Sequence, residues 1–279
     1  MTIPSRATIA FETKKQDAEG VGVTVIITLY NYEQYIKYAL DSVLKQSHPN
    51  IELVVVDDRS KDASLAAAKT WLEQNGERFS QARLLAHLSN YGLAQARNTA
   101  FENATNEYVF VLDADNEIYP DAISKLLAAC ISEKAEAAYS RLEKFGDATG
   151  IGGDVWNPSR LARGNYIDAM ALIKKSAWRE AGGYAPFKIS GWEDYDLWCR
   201  FVELGFRGVF VPELLCRYRV HKSSMLQTST NLNLDQLRPE LMKRHPWLRL
   251  DEPPSIREKL GYWWWRLRIL IGRDERQKP

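Results

Sequence analysis

The chain has 279 residues, with 37 Lys+Arg against 36 Asp+Glu, a formal net charge of +1, 45% hydrophobic residues and 26% charged ones. That is ordinary globular usage; it suits one large α/β domain, alone or with appendages, and excludes a nucleic-acid binder working through a global positive field. No run of about 18 apolar residues and no cationic, then apolar leader is present, so neither a transmembrane helix nor a signal peptide is expected.

Cys130, Cys199 and Cys216 stand far apart in apolar contexts, as buried free thiols of a reducing compartment do. Residues 1–22 are polar and read as an arm, with one added strand at Ala7–Phe11. Val23–Tyr30 is β-branched and almost wholly apolar, as a central strand should be. Asn31, with Gln34 three residues on, predicts a capped helix whose inner face is Ile36, Ala39, Leu40, Val43 and Leu44. Ile51–Asp58 is a second buried strand, ending in Asp57 and Asp58; a helix over Leu65, Ala68 and Leu72 follows. Ala82–His87 predicts a third strand, and Leu93–Ala104 the next helix.

Tyr108–Leu112 then runs without polar interruption into Asp113 and Asp115. Two acids one residue apart at a strand end can share a divalent cation and the diphosphate it neutralises; an acidic turn is the plain alternative. Strand and helix have alternated to this point, which predicts a doubly wound, mostly parallel sheet. Thr28/Tyr30, Asp57/Asp58 and Asp113/Asp115 then converge on one edge, where such sheets bind ligands.

Beyond this, a helix starts at Pro120-Asp121, Ala137–Phe145 reads as a strand, and Gly146–Gly164 as a long irregular loop. Asn165–Ile173 returns to the sheet, and Ser176 caps a short helix ending at Gly182-Gly183. In Trp192–Trp198, acids crowd a helix start beside apolar walls. They either offset the helix dipole or supply a carboxylate whose pKa is raised for general-base work. Gly208–Val211 is a further strand, and His221 taken alone reads as structural. Residues 226–279 form a distinct tail with an aromatic, arginine-bearing stretch at Leu260–Arg273. It is either an interfacial membrane helix or a helix packed on the body or on a partner chain.

Several stretches together resemble the family-2 inverting glycosyltransferases of GT-A fold, over roughly residues 23–225. They are Val25–Asn31, Val54–Asp62, Asn90–Asn98, Leu112–Asp115, Gly182–Tyr184 and Trp192–Trp198. The resemblance implies that Thr28, Tyr30 and Asp58 hold the nucleotide base, Asn90 and Arg97 lie near base and diphosphate, and Asp113 faces ribose or sugar. It implies a Mg²⁺ or Mn²⁺ site at Asp115, completed by His221, with Ser223 near the phosphates. Asp194 matches the catalytic base; Glu193 beside it and Trp192 match the acceptor side. Leu29 departs from the pattern, where many members carry a small residue or proline.

The activity implied is metal-dependent, inverting transfer of a sugar, from a UDP-sugar by preference, to a hydroxyl of a glycan or glycolipid acceptor. The setting implied is surface polysaccharide or glycoconjugate synthesis, in the cytoplasm or peripherally at the inner face of the membrane. Two rivals are a non-catalytic binding module of the same fold and a nucleotidyltransferase. The second usually carries a Gly-rich phosphate loop, absent from Leu29–Glu33.

Overall fold

Strands apolar on both faces are stable only at the centre of a covered sheet. The computed structural model, which describes residues 6–15 and 19–252, places them there. In chain order come strand β1 (Ala7–Lys14), β2 (Val23–Leu29), helix α1 (Ile36–Leu44), β3 (Ile51–Asp57), α2 (Ser64–Asn75), β4 (Gln81–His87), α3 (Leu93–Asn103) and β5 (Tyr108–Asp113). Next are β6 (Glu117–Ile118), α4 (Ala122–Ser132), β7 (Ala137–Gly146), β8 (Gly150–Gly152), α5 (Pro158–Leu161) and β9 (Ala171–Lys174). Then follow α6 (Lys175–Glu180), α7 (Glu193–Glu203), β10 (Gly208–Val220), α8 (Met225–Thr228) and α9 (Leu234–Arg244).

The strands form one sheet in the order β1-β4-β3-β2-β5-β9-β7-β10-β6, with β8 paired to β7. The block β4-β3-β2-β5 is parallel, as the alternation of strands and helices predicts. Strand β9 runs antiparallel to both β5 and β7, while β10 is parallel to β7. Side chains alternate across each strand. Val25, Ile27 and Val55 pack under α1, α2 and α4; Ile26, Val54 and Val111 pack under α3, α6 and α7. Cys130, Cys199 and Cys216 are free and buried, and burial pushes the thiols of Cys130 and Cys216 up to about 11 and about 12. Such thiols are inert at neutral pH.

Several local expectations are corrected. Asn31 does not cap α1; Tyr35 holds that position without a side-chain bond. Asn31 instead adopts φ 57°, and its Oδ1 accepts from Lys61 N at 2.8 Å, tying the β2–α1 loop to the β3–α2 loop. Ser176 lies inside α6, with Lys174 at the cap, and its hydroxyl donates to Glu107. The return to the sheet is confined to β9, and the loop at 146–164 contains β8 and α5. Strand β10 is 13 residues long, far beyond Val211, because β7 and β6 offer it partners on both sides. No helix among the described residues is long and apolar enough to cross a membrane; the stretch at 260–273 lies outside them.

Helix α9 is clamped to α7 by buried charge. Asp196 accepts from Arg200, from Arg244 Nη1 at 3.1 Å and from His245 Nε2 at 3.2 Å. The other ring nitrogen of His245 lies 2.7 Å from Glu203 Oε1. Burial lowers the pKa of His245, but Asp196 and Glu203 outweigh it and the net direction is up. Protonated His245 therefore stabilises the fold below the unfolded value of about 6.5. The contribution fades as pH rises through the higher folded value. Thermal melts across that window should show the wild type losing stability relative to His245→Gln; parallel pH profiles would count against the clamp.

Candidate active site

A cleft of about 1280 Å³ runs along the carboxyl-end edge of the parallel strands. Its first region is built on the ends of β2 and β3. Thr28 is buried and Tyr30 is 37% exposed, and both line the cleft. Asp58 Oδ1 accepts from Tyr91 N at 2.8 Å and sits 2.7 Å from His87 Nδ1, while Oδ2 accepts from Gly92 N at 2.8 Å. The amide of Asn90 donates to Asp58 O at 3.1 Å. A carboxylate has about four acceptor sites. With three engaged by the chain, one remains on Asp58.

The second region is the acidic end of β5. Asp113 lines the cleft, and Asp115 faces His221, with Oδ2 2.9 Å from Nε2. The reason is register. Strand β10 pairs antiparallel with β6, Arg217 opposite Glu117 and Cys216 opposite Ile118. Carried four residues on, the same register sets His221 beside the Asp113–Asp115 turn. Arg219 fastens the turn: its N donates to Asn116 Oδ1 at 2.8 Å and its Nε to Asp115 O at 3.0 Å. Ser223 Oγ lies 2.9 Å from His221 Nδ1, which orients the imidazole. Burial and the neighbouring Asp113 raise the pKa of Asp115.

The third region is the start of α7. Asp194 Oδ2 accepts from Asn165 Nδ2 at 3.0 Å and Oδ1 from Tyr195 N at 2.8 Å. Burial raises the pKa of Asp194, with Arg97 opposing. Trp192, which precedes the helix in the left-handed region at φ 63°, also lines the cleft and meets the Tyr195 ring edge-on at 5.8 Å.

One cation joins the second and third regions. Arg97 of α3 is 2% exposed. Its Nη2 donates to Asp113 Oδ1 at 2.7 Å and its Nη1 to Glu193 Oε1 at 3.0 Å. The structure therefore pairs Arg97 with both Asp113 and Glu193, and all three line the cleft. Burial lowers the pKa of Arg97, yet Asp113 and Glu193 carry it upward overall, so the charge is permanent.

A family model described as glycosyl transferase family 2 matches residues 24–195. The chain belongs to glycosyl transferase family 2. EpsE of Bacillus subtilis is 29% identical over 223 residues, which cover 77% of this chain and 79% of EpsE. The amylovoran biosynthesis glycosyltransferase AmsB of Erwinia amylovora is 28% identical over 253 residues, 81% of each chain. Residues 1–349 of S. aureus TarS in complex with UDP-GlcNAc align with a TM-score of 0.64 at 18% identity, over 75% of this chain and 61% of that one. This last likeness is one of fold, and the fold is GT-A. This chain spans about 61% of the TarS chain.

Residues absent from the family-2 motifs also face the cleft. Asp168 lines it, with Oδ1 accepting from Met170 N at 2.9 Å. Burial, aided by Asp113, pushes this carboxyl up to about 7. The signal lay in an acid immediately before the apolar run Ala169–Ile173. His87 does not line the cleft; buried behind Asp58, it bridges Asp58 and Thr99.

Among the described residues no group of three or more His, Cys, Asp or Glu is arranged to hold a metal ion. The available donors are the Asp115 carboxylate and the His221 imidazole. Together they fit Mg²⁺ or Mn²⁺ in a site completed by substrate phosphates and water, the usual arrangement for Mg²⁺.

Proposed function

We propose that this protein transfers a sugar from a nucleoside diphosphate sugar, a UDP-sugar by preference, to an acceptor hydroxyl with inversion at the anomeric carbon. The supporting observation is the spacing of chemistry along one cleft. An acceptor-poised Asp58 beside Tyr30 suits a base, Asp115 with His221 suits a diphosphate, and the raised carboxyl of Asp194 suits a proton transfer.

The acceptor oxygen attacks the anomeric carbon as the carbon–oxygen bond to the diphosphate breaks, and Asp194 takes the acceptor proton. Asn165 and the Tyr195 N–H aim the Asp194 carboxylate. Trp192 offers an aromatic face at the acceptor end. Bound at Asp115 and His221, Mg²⁺ or Mn²⁺ would offset the charge gathering on the leaving diphosphate. The relation to AmsB favours a glycan or glycolipid acceptor in surface polysaccharide or glycoconjugate synthesis. Work at the inner face of the membrane, with contact through the 226–279 tail, belongs to the same proposal, as does residues 23–225 acting as the transferase unit.

The test is a panel of nucleotide sugars titrated with Mn²⁺ and with EDTA, read by calorimetry and by release of nucleoside diphosphate. One donor should bind in a metal-dependent way and be slowly hydrolysed. Asp115→Ala removes a proposed direct ligand, so it should weaken that binding by about 10-fold or more, at least the cost of disturbing a ligand's supporting partner, and make it insensitive to EDTA. Pyrophosphate release would mean a nucleotidyltransferase. Metal-independent binding in wild type would remove Asp115 and His221 from the proposal.

A further inference from the structure

The register of the central strands places a second cation across the cleft. Phe110 of β5 is opposite Leu172 of β9, and Leu172 is opposite Ala138 of β7. Strands β5 and β7 both run antiparallel to β9, so they run parallel to each other. Three residues further along each, Asp113 and Arg141 fall in one row and on one face. That face is the α3 and α7 side, as the Asp113–Arg97 ion pair confirms. Two strand spacings separate the rows' ends, roughly 10 Å of backbone. Tyr30 and Asp58 lie on the opposite side of β5, following β2 and β3. Arg141 therefore stands on the side of the acids away from the nucleotide region.

Arg141 is partly buried and lines the cleft. Among the described residues its guanidinium has no hydrogen-bond or ion-pair partner. Of the cleft acids, Asp113 and Glu193 are paired with Arg97 and Asp154 with Arg160, while Asp168 and Asp194 accept from amide groups and not from Arg141. The root of Arg141 is also held. Gly153, at φ +92°, crosses it so closely that a Cβ there would lie 2.7 Å from Ser140 O and 3.2 Å from Arg141 Cα. A guanidinium cannot lose its charge, and its planar fork matches carboxylate or phosphate.

We infer that Arg141 forms an oxyanion subsite for the acceptor, so that the acceptor carries a carboxylate or phosphate on or next to the sugar that presents the attacking hydroxyl. This rests on the glycosyl-transfer reading, and the two can fail separately. The test uses the full chain with its nucleotide site filled by UDP and Mn²⁺. Methyl β-D-glucuronide, glucose 1-phosphate and methyl β-D-glucoside are then titrated, with affinity read by ligand-observed NMR.

A charged probe should bind about 10-fold or more tightly than the glucoside, as a charge-assisted fork predicts. The preference should shrink at high salt. It should vanish in Arg141→Ala and survive in part in Arg141→Lys. Preference for the glucuronide identifies a carboxylate, and preference for the phosphate ester a phosphate; either supports the subsite. Equal binding of all three, no binding of any, or a preference retained in Arg141→Ala overturns it. The UDP titration reports separately on the nucleotide site: failure of UDP to bind counts against glycosyl transfer, whatever the probes do.

Discussion

Replacing Asp194 with Asn should lower transfer about 10²–10⁴-fold, the usual contribution of a positioned general base, while donor affinity stays nearly intact. In activation free energy that is about 3–5 kcal/mol. The size follows from the role: the amide keeps the shape and can still accept from Asn165, but it cannot take the acceptor proton. Stability should move the other way or not at all. Burial holds the Asp194 carboxyl above its ordinary range, so its ionised form costs folding free energy at neutral pH, and the neutral amide removes that cost. In wild type, turnover should climb with pH through the raised folded value as the base ionises, and the variant should lack this limb. Transfer kinetics over pH beside thermal melts check both. An inactive variant that also melts early would point to a structural fault, and near-normal turnover would take the base role from Asp194.

Arg97→Met should have the largest effect on stability. Removing one partner of a buried ion pair costs about 3–5 kcal/mol, because the remaining carboxylate is left without compensation. Here Glu193 is the carboxylate at stake: its side chain is 7% exposed, against 25% for Asp113, which the cleft can rehydrate. The loss should therefore sit toward the lower end. For a chain of this size each kcal/mol moves Tm by roughly 2–4 °C, so a fall of roughly 6–12 °C is expected. Turnover should fall as well, since the pair fixes the start of α7 on which Asp194 rides. Arg97→Lys restores the charge but not the fork and should recover only part of either property. Differential scanning calorimetry reads the first effect; a Tm within 2 °C of wild type, roughly 1 kcal/mol, would show that the clamp bears little of the fold's stability.

Local pattern revealed much of this molecule. Apolar runs marked β2, β3 and β5, and the acids that ended β3 and β5 marked the edge where the cleft lies. Pairings across long separations were not legible in the same way. Arg97 and Glu193 are 96 residues apart, and no spacing rule connects them. Asp168 escaped for a topological reason. In a parallel sheet only carboxyl ends reach the ligand edge, so acids at strand beginnings are passed over. Strand β9 runs the opposite way, and its beginning reaches that edge. Asn31 carried a cap signature, but its left-handed backbone turned the side chain toward a neighbouring loop. Local chemistry named the right kind of residue and the wrong partner.

The pairing of β10 with β6 also sets an order of events. His221 stands beside Asp115 only because residues about a hundred apart in the chain are held in register. Closing so long a loop is entropically costly and slow compared with local contacts. A chain emerging during synthesis can complete β1 to β5 while the imidazole is still unmade. The Tyr30 and Asp58 wall of the cleft can therefore form before Asp115 meets His221. A slip of one residue in that late pairing would turn the side chains of β10 to the opposite face. The Asp115–His221 contact thus doubles as a report that the last long strand has docked correctly.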